Sequence, residues 1–190
     1  MEQLINQVLS CTLCADYLPL GPNPVIQVSP TAKLVIIGQA PGIKVHNSGI
    51  PWNDLSGDRL RTWLNIDKEQ FYDKEKIAIV PMGFCYPGKG KSGDLPPRKE
   101  CAPMWHQKLL DQMPAVELIL LIGKYAQDYY LPKNKKKNLT ETVSNFEVYL
   151  PKYFVLPHPS PRNIAWFKRN DWFENQIIPI LQKMTSDILK

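Results

Sequence analysis

Four short apolar runs constrain the fold of this chain more than any other feature. They are rich in β-branched residues, and each ends in a loop that contains glycine or proline. Their hydrophobicity is continuous rather than alternating, which is typical of strands covered on both faces, as in a parallel sheet. The four predicted strands are Leu34–Ile37, Ile77–Val80, Leu118–Ile122 and Tyr153–Leu156.

Helical stretches separate these runs. One follows the capping side chains of residues 53–56 and continues to Leu64. Others are predicted over 103–112, 124–131 and 170–189, the last interrupted at Pro179. Alternating strands and helices predict a doubly wound α/β sandwich, and 190 residues suit one such domain spanning 1–190. In sheets of this kind, ligands bind beyond the carboxyl ends of the strands.

Composition and charge exclude some classes of protein and leave others open. The chain is 44% hydrophobic, with 23 Lys and Arg against 18 Asp and Glu, so it is globular and mildly basic. A net charge of +5 fits a nucleic-acid partner, although many other enzymes are equally basic. The basic run Lys133–Lys137 is either a solvated loop or a phosphate contact. Nothing resembles a signal peptide or a membrane span, so we expect a cytoplasmic monomer.

Two strand-end loops carry the residues most suited to chemistry. The first, Gly38-Gln39-Ala40-Pro41-Gly42, is a rigid turn whose backbone N–H groups can face a ligand because glycine has no Cβ. The second, His158-Pro159-Ser160-Pro161-Arg162-Asn163, holds a histidine and a serine in an extended frame fixed by prolines. A histidine held in this way can donate to a developing oxyanion, and Ser160 with Arg162 suits phosphate contacts. Taken alone, the first loop is better explained as a tight structural turn and the second as a loop that holds a buried structural histidine.

Together the two loops resemble the two motifs of the uracil-DNA glycosylase superfamily. The segment from Gly49 to Gly57 also lies in step with the segment after the first motif in the iron–sulfur (family 4) members. This resemblance implies a three-layer α/β/α sandwich around a four-stranded parallel sheet. It also implies a DNA partner that carries a damaged or deaminated base, and a base-binding pocket at the strand ends.

The resemblance assigns roles to individual residues. The backbone around Gln39 and Ala40 would meet the base and its water nucleophile, Trp52 would stack on the flipped base, and His158 would stabilise negative charge on it. The remaining first-motif positions would also contact the base: Gly38, Pro41 and Gly42. Ser160 would hold a phosphate, and the loop 162–166, which includes Arg162 and Asn163, would enter the minor groove. Such roles agree with the need to extrude a base from the duplex before any chemistry on it.

The chain also departs from the family pattern at four places. The first motif carries Ala40 where the best-known members have an Asp or Asn that orients water. Val45 and His46 replace an acidic pair of the iron–sulfur members, and Asp54 replaces a position that is usually Gly. Pro81 stands where an Asn reads the uracil edge, and proline offers no side-chain hydrogen bond. We therefore name His46 and Asp54 as further candidates for placing the water and leave the specificity for uracil open.

The cysteines indicate a metal site. The sequence contains Cys11-x₂-Cys14, followed by Cys85 and Cys101, and no other cysteine. In a reducing compartment, a close pair with two distant partners predicts zinc or an iron–sulfur cluster. The resemblance favours a [4Fe–4S] cluster over zinc. The cluster would be architectural, pinning the amino terminus to the 85–101 loop and presenting its basic residues to phosphate: Lys89, Lys91, Arg98 and Lys99.

Three functions remain open at this stage. The leading hypothesis is a monofunctional DNA N-glycosylase that hydrolyses the bond to a flipped deaminated base, most simply uracil, in base-excision repair. The alternative is a binding module that senses damaged bases with little or no turnover, which the loss of the Asn at Pro81 favours. A hydrolase of free nucleosides is a third possibility, but the loop 162–166 argues against it because a free nucleoside has no base stack to hold open.

Overall fold

The computed structural model describes residues 1–190 and has a four-stranded, entirely parallel sheet at its centre. The strands are β1 (Leu34–Ile37), β2 (Ile77–Ile79), β5 (Leu118–Ile122) and β6 (Tyr153–Leu156). Their order is β2-β1-β5-β6, and Ile36 lies between Ile79 and Leu120 in the register. The parallel sheet and the positions of all four strands, which were predicted from continuous apolar runs, are thereby confirmed. Strand β2 ends one residue earlier than predicted.

Helices cover both faces of this sheet. They are α1 (Glu2–Leu9), α2 (Ile43–Ser48), α3 (Leu55–Leu64), α4 (Lys68–Tyr72), α5 (Cys101–Leu110), α6 (Lys124–Tyr130), α7 (Leu139–Ser144), α8 (Ile164–Arg169) and α9 (Ile178–Leu189). A core cluster of 42 buried residues joins sheet and helices, and every residue of β1 is fully buried. The α/β sandwich is therefore confirmed, with the sheet buried on both sides.

Local sequence explains where the helices begin and end. The α3 helix starts at Asp54, whose Oδ1 accepts a hydrogen bond from Gly57 N at 2.9 Å, as expected of a capping residue in the predicted 53–56 segment. The predicted interruption near Pro179 is present as a π-helical turn, Phe173–Ile177, that runs directly into α9. Pro179 lies in the first turn of α9.

A two-stranded hairpin lies outside the central sheet. Its strands are β3 (Lys89–Gly90) and β4 (Gly93–Asp94), which pair antiparallel. Neither strand has an apolar pattern, so the sequence gives no periodic signal for them. The hairpin matters for function because it reaches the carboxyl edge of the sheet.

Candidate active site

Loops from the carboxyl edge of the sheet line one cavity of about 410 Å³. Such a volume falls in the range of about 300–1,000 Å³ that is usual for small-molecule sites. The lining combines both loops singled out in the sequence with residues from the segment before α3, from the end of β2 and from the hairpin. It includes Gly38, Gln39, Ala40, Pro41, Gly42, Trp52, Asp54, Pro81, Asp94, Leu95, His158, Ser160, Arg162 and Asn163.

The first-motif loop is fixed by its carbonyl groups and leaves two N–H groups unused. Met82 N–H donates to Gly38 O, and Gly83 N–H donates to Gln39 O, each at 3.0 Å. The N–H groups of Gln39 and Ala40 have no backbone partner. Both residues are half-buried at the cavity wall, so these two N–H groups can donate to a ligand that accepts hydrogen bonds in the cavity.

Trp52 and His158 form the aromatic wall of the cavity. Their rings are stacked with centroids 5.6 Å apart and planes inclined by 29°. Trp52 has φ 56°, a left-handed conformation that is strained for a bulky residue. Two glycines make room for it: a Cβ on Gly38 would lie 2.6 Å from the indole, and one on Gly57 would lie 1.7 Å from Trp52 O.

A buried arginine holds Trp52 from behind. Arg61 Nη1 donates to Trp52 O at 3.4 Å, while Arg61 Nη2 pairs with Asp58 at 2.6 Å. The neighbouring Tyr72 hydroxyl donates to Pro51 O at 3.0 Å. Because Arg61 is almost fully buried and Asp58 neutralises it, its guanidinium fixes the strained segment rather than binding a ligand. No motif in the sequence marks this role of Arg61.

His158 is held by its backbone and left free at its ring. Its carbonyl accepts a hydrogen bond from Asn163 Nδ2 at 2.8 Å, and Gly123, with φ 80°, packs behind its Cβ. Neither ring nitrogen has a hydrogen-bond partner within the protein. Burial lowers the pKa of His158 to about 4, although the negative charge of Asp54 opposes this shift. At neutral pH the ring is therefore an uncharged imidazole with one N–H to donate.

The three predicted DNA contacts of the second loop also make internal hydrogen bonds. Ser160 Oγ accepts from Arg162 N at 3.3 Å and caps the short helical turn Pro161–Asn163. Arg162 Nη1 donates to Ser92 O at 2.9 Å, which ties this loop to the hairpin. Asn163 supports the His158 backbone as described above. All three line the cavity, and contact with DNA remains a prediction for each of them.

The loop 162–166, here called the wedge loop, contains two large hydrophobic residues, an exposed Ile164 and an anchored Trp166. The Ile164 side chain is 43% exposed. Trp166 instead donates its indole N–H to Thr140 Oγ1 at 3.0 Å and packs edge-on against Trp172. Ile164 is thus the apolar residue of this loop that is free to enter a base stack.

The two further candidates for placing water differ in their location. Asp54 lines the cavity, but its Oδ1 is engaged in capping α3. His46 is not among the lining residues; its ring faces Tyr86 at 6.0 Å, and its carbonyl accepts from Asn23 Nδ2. The structure therefore brings Asp54, but not His46, together with His158.

Pro81 belongs to a buried network that the sequence did not reveal. Its carbonyl accepts a hydrogen bond from His106 Nε2 at 3.0 Å, and His106 Nδ1 lies 2.7 Å from the Tyr130 hydroxyl. Burial lowers the pKa of His106 to about 4, so the ring is neutral. With Nε2–H donating to Pro81, Nδ1 is the acceptor and Tyr130 is its donor. His106 lies on α5 without a neighbouring motif, so sequence pattern could not identify it.

The four cysteines lie in one region of the molecule. Cys11 and Cys14 are half-buried near the amino terminus, whereas Cys85 and Cys101 are buried. The pKa of Cys85 is raised to about 11 and that of Cys101 to about 12, mainly by burial and to a smaller extent by the charges of the other cysteines. The Phe84 N–H donates to Cys101 Sγ at 3.4 Å. The thiols are near enough for their charges to interact, but no group of three or more His, Cys, Asp or Glu side chains has an arrangement that could hold a metal ion.

Comparison with known families places this fold and cavity in a class. A family model described as "Uracil DNA glycosylase superfamily" matches residues 25–182. The chain belongs to the uracil DNA glycosylase superfamily. The matched segment contains all four strands of the sheet and both cavity loops, whereas Cys11 and Cys14 precede it. No helix in the structure combines the length and apolar character needed to cross a membrane.

Proposed function

We propose that this protein is a monofunctional DNA glycosylase that hydrolyses the N-glycosidic bond of a flipped, deaminated base, with uracil as the first candidate. One observation carries the proposal. In a member of this superfamily, a neutral His158 with both ring nitrogens free faces the same cavity as the unpartnered N–H groups of Gln39 and Ala40. These donors face the cavity, where a flipped base could accept hydrogen bonds from them.

The chemistry follows from charge development on the base. A base inside a duplex is unreachable, so it must leave the stack and enter the cavity, where Trp52 offers an aromatic surface. As the C1′–N bond breaks, the base acquires negative charge on its carbonyl oxygens. A neutral His158 N–H and the N–H groups of Gln39 and Ala40 stabilise that charge more strongly in the transition state than in the bound substrate.

The rim of the cavity is suited to holding the DNA strand open. Ile164 is exposed beside Arg162 and Ser160, which combines an apolar wedge with two groups that bind phosphate well. The contact between Arg162 and Ser92 O is made to a neutral carbonyl. This contact uses only Nη1, so the other N–H groups of the guanidinium remain free to bind a phosphate while Arg162 holds the hairpin.

Base release and binding should be measured on the same strands. Oligonucleotides with a single uracil or hypoxanthine, single- and double-stranded, are incubated with excess protein, and abasic sites are scored by alkaline cleavage. We expect release of one of these bases, with an undamaged strand as the control. A protein that releases neither base would contradict the proposal, whether or not it binds the damaged strands better than the undamaged one.

A second candidate is a damaged-base binding module, and Pro81 is the observation that favours it. This residue lines the cavity without a side-chain donor, and its carbonyl already accepts from His106. A cavity wall without a side-chain donor discriminates poorly between the hydrogen-bonding edges of different bases. In addition, the methyl group of Ala40 cannot orient a water. Tight binding to the damaged strands without base release in the same experiment would support this function.

We also propose that Cys11, Cys14, Cys85 and Cys101 hold a [4Fe–4S] cluster, which would place the protein with the iron–sulfur members. The spacing of the four cysteines supports the proposal, and binding of the cluster would have to draw their thiols together, because they are not arranged for a metal ion in the structure. When bound, the cluster would supply a covalent link between the amino terminus and the 85–101 segment. Protein purified anaerobically should contain roughly four irons per chain. Stoichiometric zinc without iron would replace the cluster with a zinc site, and Cys14→Ser should lower the content of either metal.

A further inference from the structure

The cavity contains two carboxylates, and only one of them has an internal role. Asp54 caps α3 through the hydrogen bond from Gly57 N. Asp94, on β4 of the hairpin, also lines the cavity, but none of the six ion pairs in the structure involves it. The Asp94 side chain has no hydrogen-bond partner within the protein, so its oxygens are free to accept a hydrogen bond from a ligand or a water.

The position of Asp94 links it to the first motif. Its Oδ2 lies 3.3 Å from the point that a Cβ on Gly42 would occupy, so the carboxylate lies over the last residue of that loop. Tyr86 is close enough for the charge of Asp94 to contribute, after burial, to its raised pKa. Across the hairpin, Lys89 is the register partner of Asp94.

The hairpin is anchored so that this carboxylate stays at the cavity. Arg162 donates to Ser92 O, and its Nη1 lies 1.8 Å from the point that a Cβ on Gly93 would occupy. Gly93 has φ 141°, so a side chain at this position would be strained as well as obstructed. The loop that carries His158 and the hairpin that carries Asp94 are thereby held together across the cavity.

We propose that Asp94 is the catalytic base of this enzyme. This inference rests on the proposed glycosidase function. As the C1′–N bond breaks, its electron pair leaves with the base, the water oxygen bonds to C1′, and a water proton passes to the Asp94 carboxylate. The carboxylic acid then returns that proton to the departed base or to solvent. Ala40 cannot do this at the first motif, because a methyl group accepts no proton.

The test uses the full-length protein and whichever base the wild type releases. Asp94→Asn and Asp94→Ala should lower the single-turnover rate by about 10²–10³, within the range of general-base contributions. Their Kd for a strand with an abasic site should stay within about threefold of wild type, because removing a negative charge does not weaken contact with phosphate. Added formate should restore part of the rate of Asp94→Ala, since it supplies a carboxylate in the space vacated.

Asp111→Asn is the matched control, because it removes the same charge from a residue at the end of α5 that does not line the cavity. We expect it to cleave at the wild-type rate and formate to leave it unaffected. Asp94 variants that cleave like wild type would overturn this inference while the glycosylase function stands. Slow Asp94 variants that formate does not rescue would assign Asp94 a structural role and also overturn it. A wild type that releases no base would overturn both.

Discussion

Two histidines in this protein share a depressed pKa but differ in everything around their rings. Burial lowers the pKa of both His106 and His158 to about 4. Both ring nitrogens of His106 are hydrogen-bonded, to Pro81 O and to the Tyr130 hydroxyl. The ring of His158 has no such partner and faces the cavity across Trp52.

From this difference we infer a structural role for His106 and assign the proposed functional role to His158. The His158 ring lies in the cavity wall, so a ligand in the cavity can supply the hydrogen-bond partner that the protein does not. A shifted pKa alone does not distinguish the two residues. The hydrogen bonds of the two rings do distinguish them. Whether a polar side chain already has a partner within the protein also distinguishes Asp94 from Asp54, and the unpaired cations from the paired ones.

We expect the largest effect from a substitution of His158, whose ring has no hydrogen-bond partner within the protein. His158→Ala should lower the rate of base release by about 10²–10³, equivalent to about 3–4 kcal/mol, because it removes a donor to the departing base. Binding to abasic DNA should change far less, since the wedge loop remains. Single-turnover rates and equilibrium binding measure the two effects separately. His46→Ala should have a much smaller effect on the rate; the reverse order would move the functional role to His46.

The second prediction concerns the pH dependence of folding. Each histidine has a folded pKa of about 4 against about 6.5 unfolded. The unfolded chain therefore binds more protons between these values, and stability must fall as the pH is lowered through that window. For the fully buried His106 we expect a loss of about 2 kcal/mol between pH 6.5 and 5, since one pKa unit corresponds to about 1.4 kcal/mol.

Urea unfolding at pH 7, 6 and 5 measures this loss. The window lies above the range of the carboxylates whose pKa is lowered, including Glu75 and Asp128, so the histidines dominate it. His158→Ala should reduce the slope by about one proton without abolishing it. A stability that stays constant from pH 7 to 5 would show that neither histidine is held neutral by the fold.

The third prediction concerns His106, whose two ring nitrogens both have hydrogen-bond partners. Tyr130→Phe removes only the hydroxyl that donates to His106 Nδ1, leaving a buried acceptor without a partner. We expect a loss of about 1–2 kcal/mol in the free energy of unfolding, measured by urea titration at pH 7. The rate of base release should remain near that of wild type. A large loss of rate with no loss of stability would mean that the His106 network acts in the chemistry after all.

The sequence predicted the sheet well because burial on both faces leaves a continuous apolar signal, as in Leu118–Ile122, whose residues are all buried. It also predicted the loops that line the cavity, because Gly38–Gly42 and His158–Asn163 are local motifs at strand ends. It could not predict Asp94, which reaches the cavity on a polar hairpin without periodicity. The hydrogen bonds between His106, Pro81 and Tyr130 are equally invisible, because they join positions 24 and 25 residues apart in the chain.

We expect the smallest effect from the basic residues, which also divide into those with a partner in the protein and those without one. Arg98 pairs with Glu100 at 2.5 Å and lies over the Tyr17 ring, and Lys135 pairs with Asp128. Lys89 and Lys91 are exposed and take part in no ion pair. Cations that already have a carboxylate partner gain less from phosphate, because they must give up one charge contact for another.

DNA binding should therefore depend on the free lysines beside the cavity. Removing each of them should lower the slope of log K against log salt by about 0.9 and weaken binding by less than about 1 kcal/mol at moderate salt. Fluorescence anisotropy between about 50 and 200 mM salt compares Lys89→Ala and Lys91→Ala with Lys33→Ala. Lys33 precedes β1 at the opposite edge of the sheet and pairs with Glu117 at 3.6 Å, so its loss should leave the slope unchanged. Equal slopes for all three variants would show that DNA does not approach the hairpin, and the cavity would then be entered from another side.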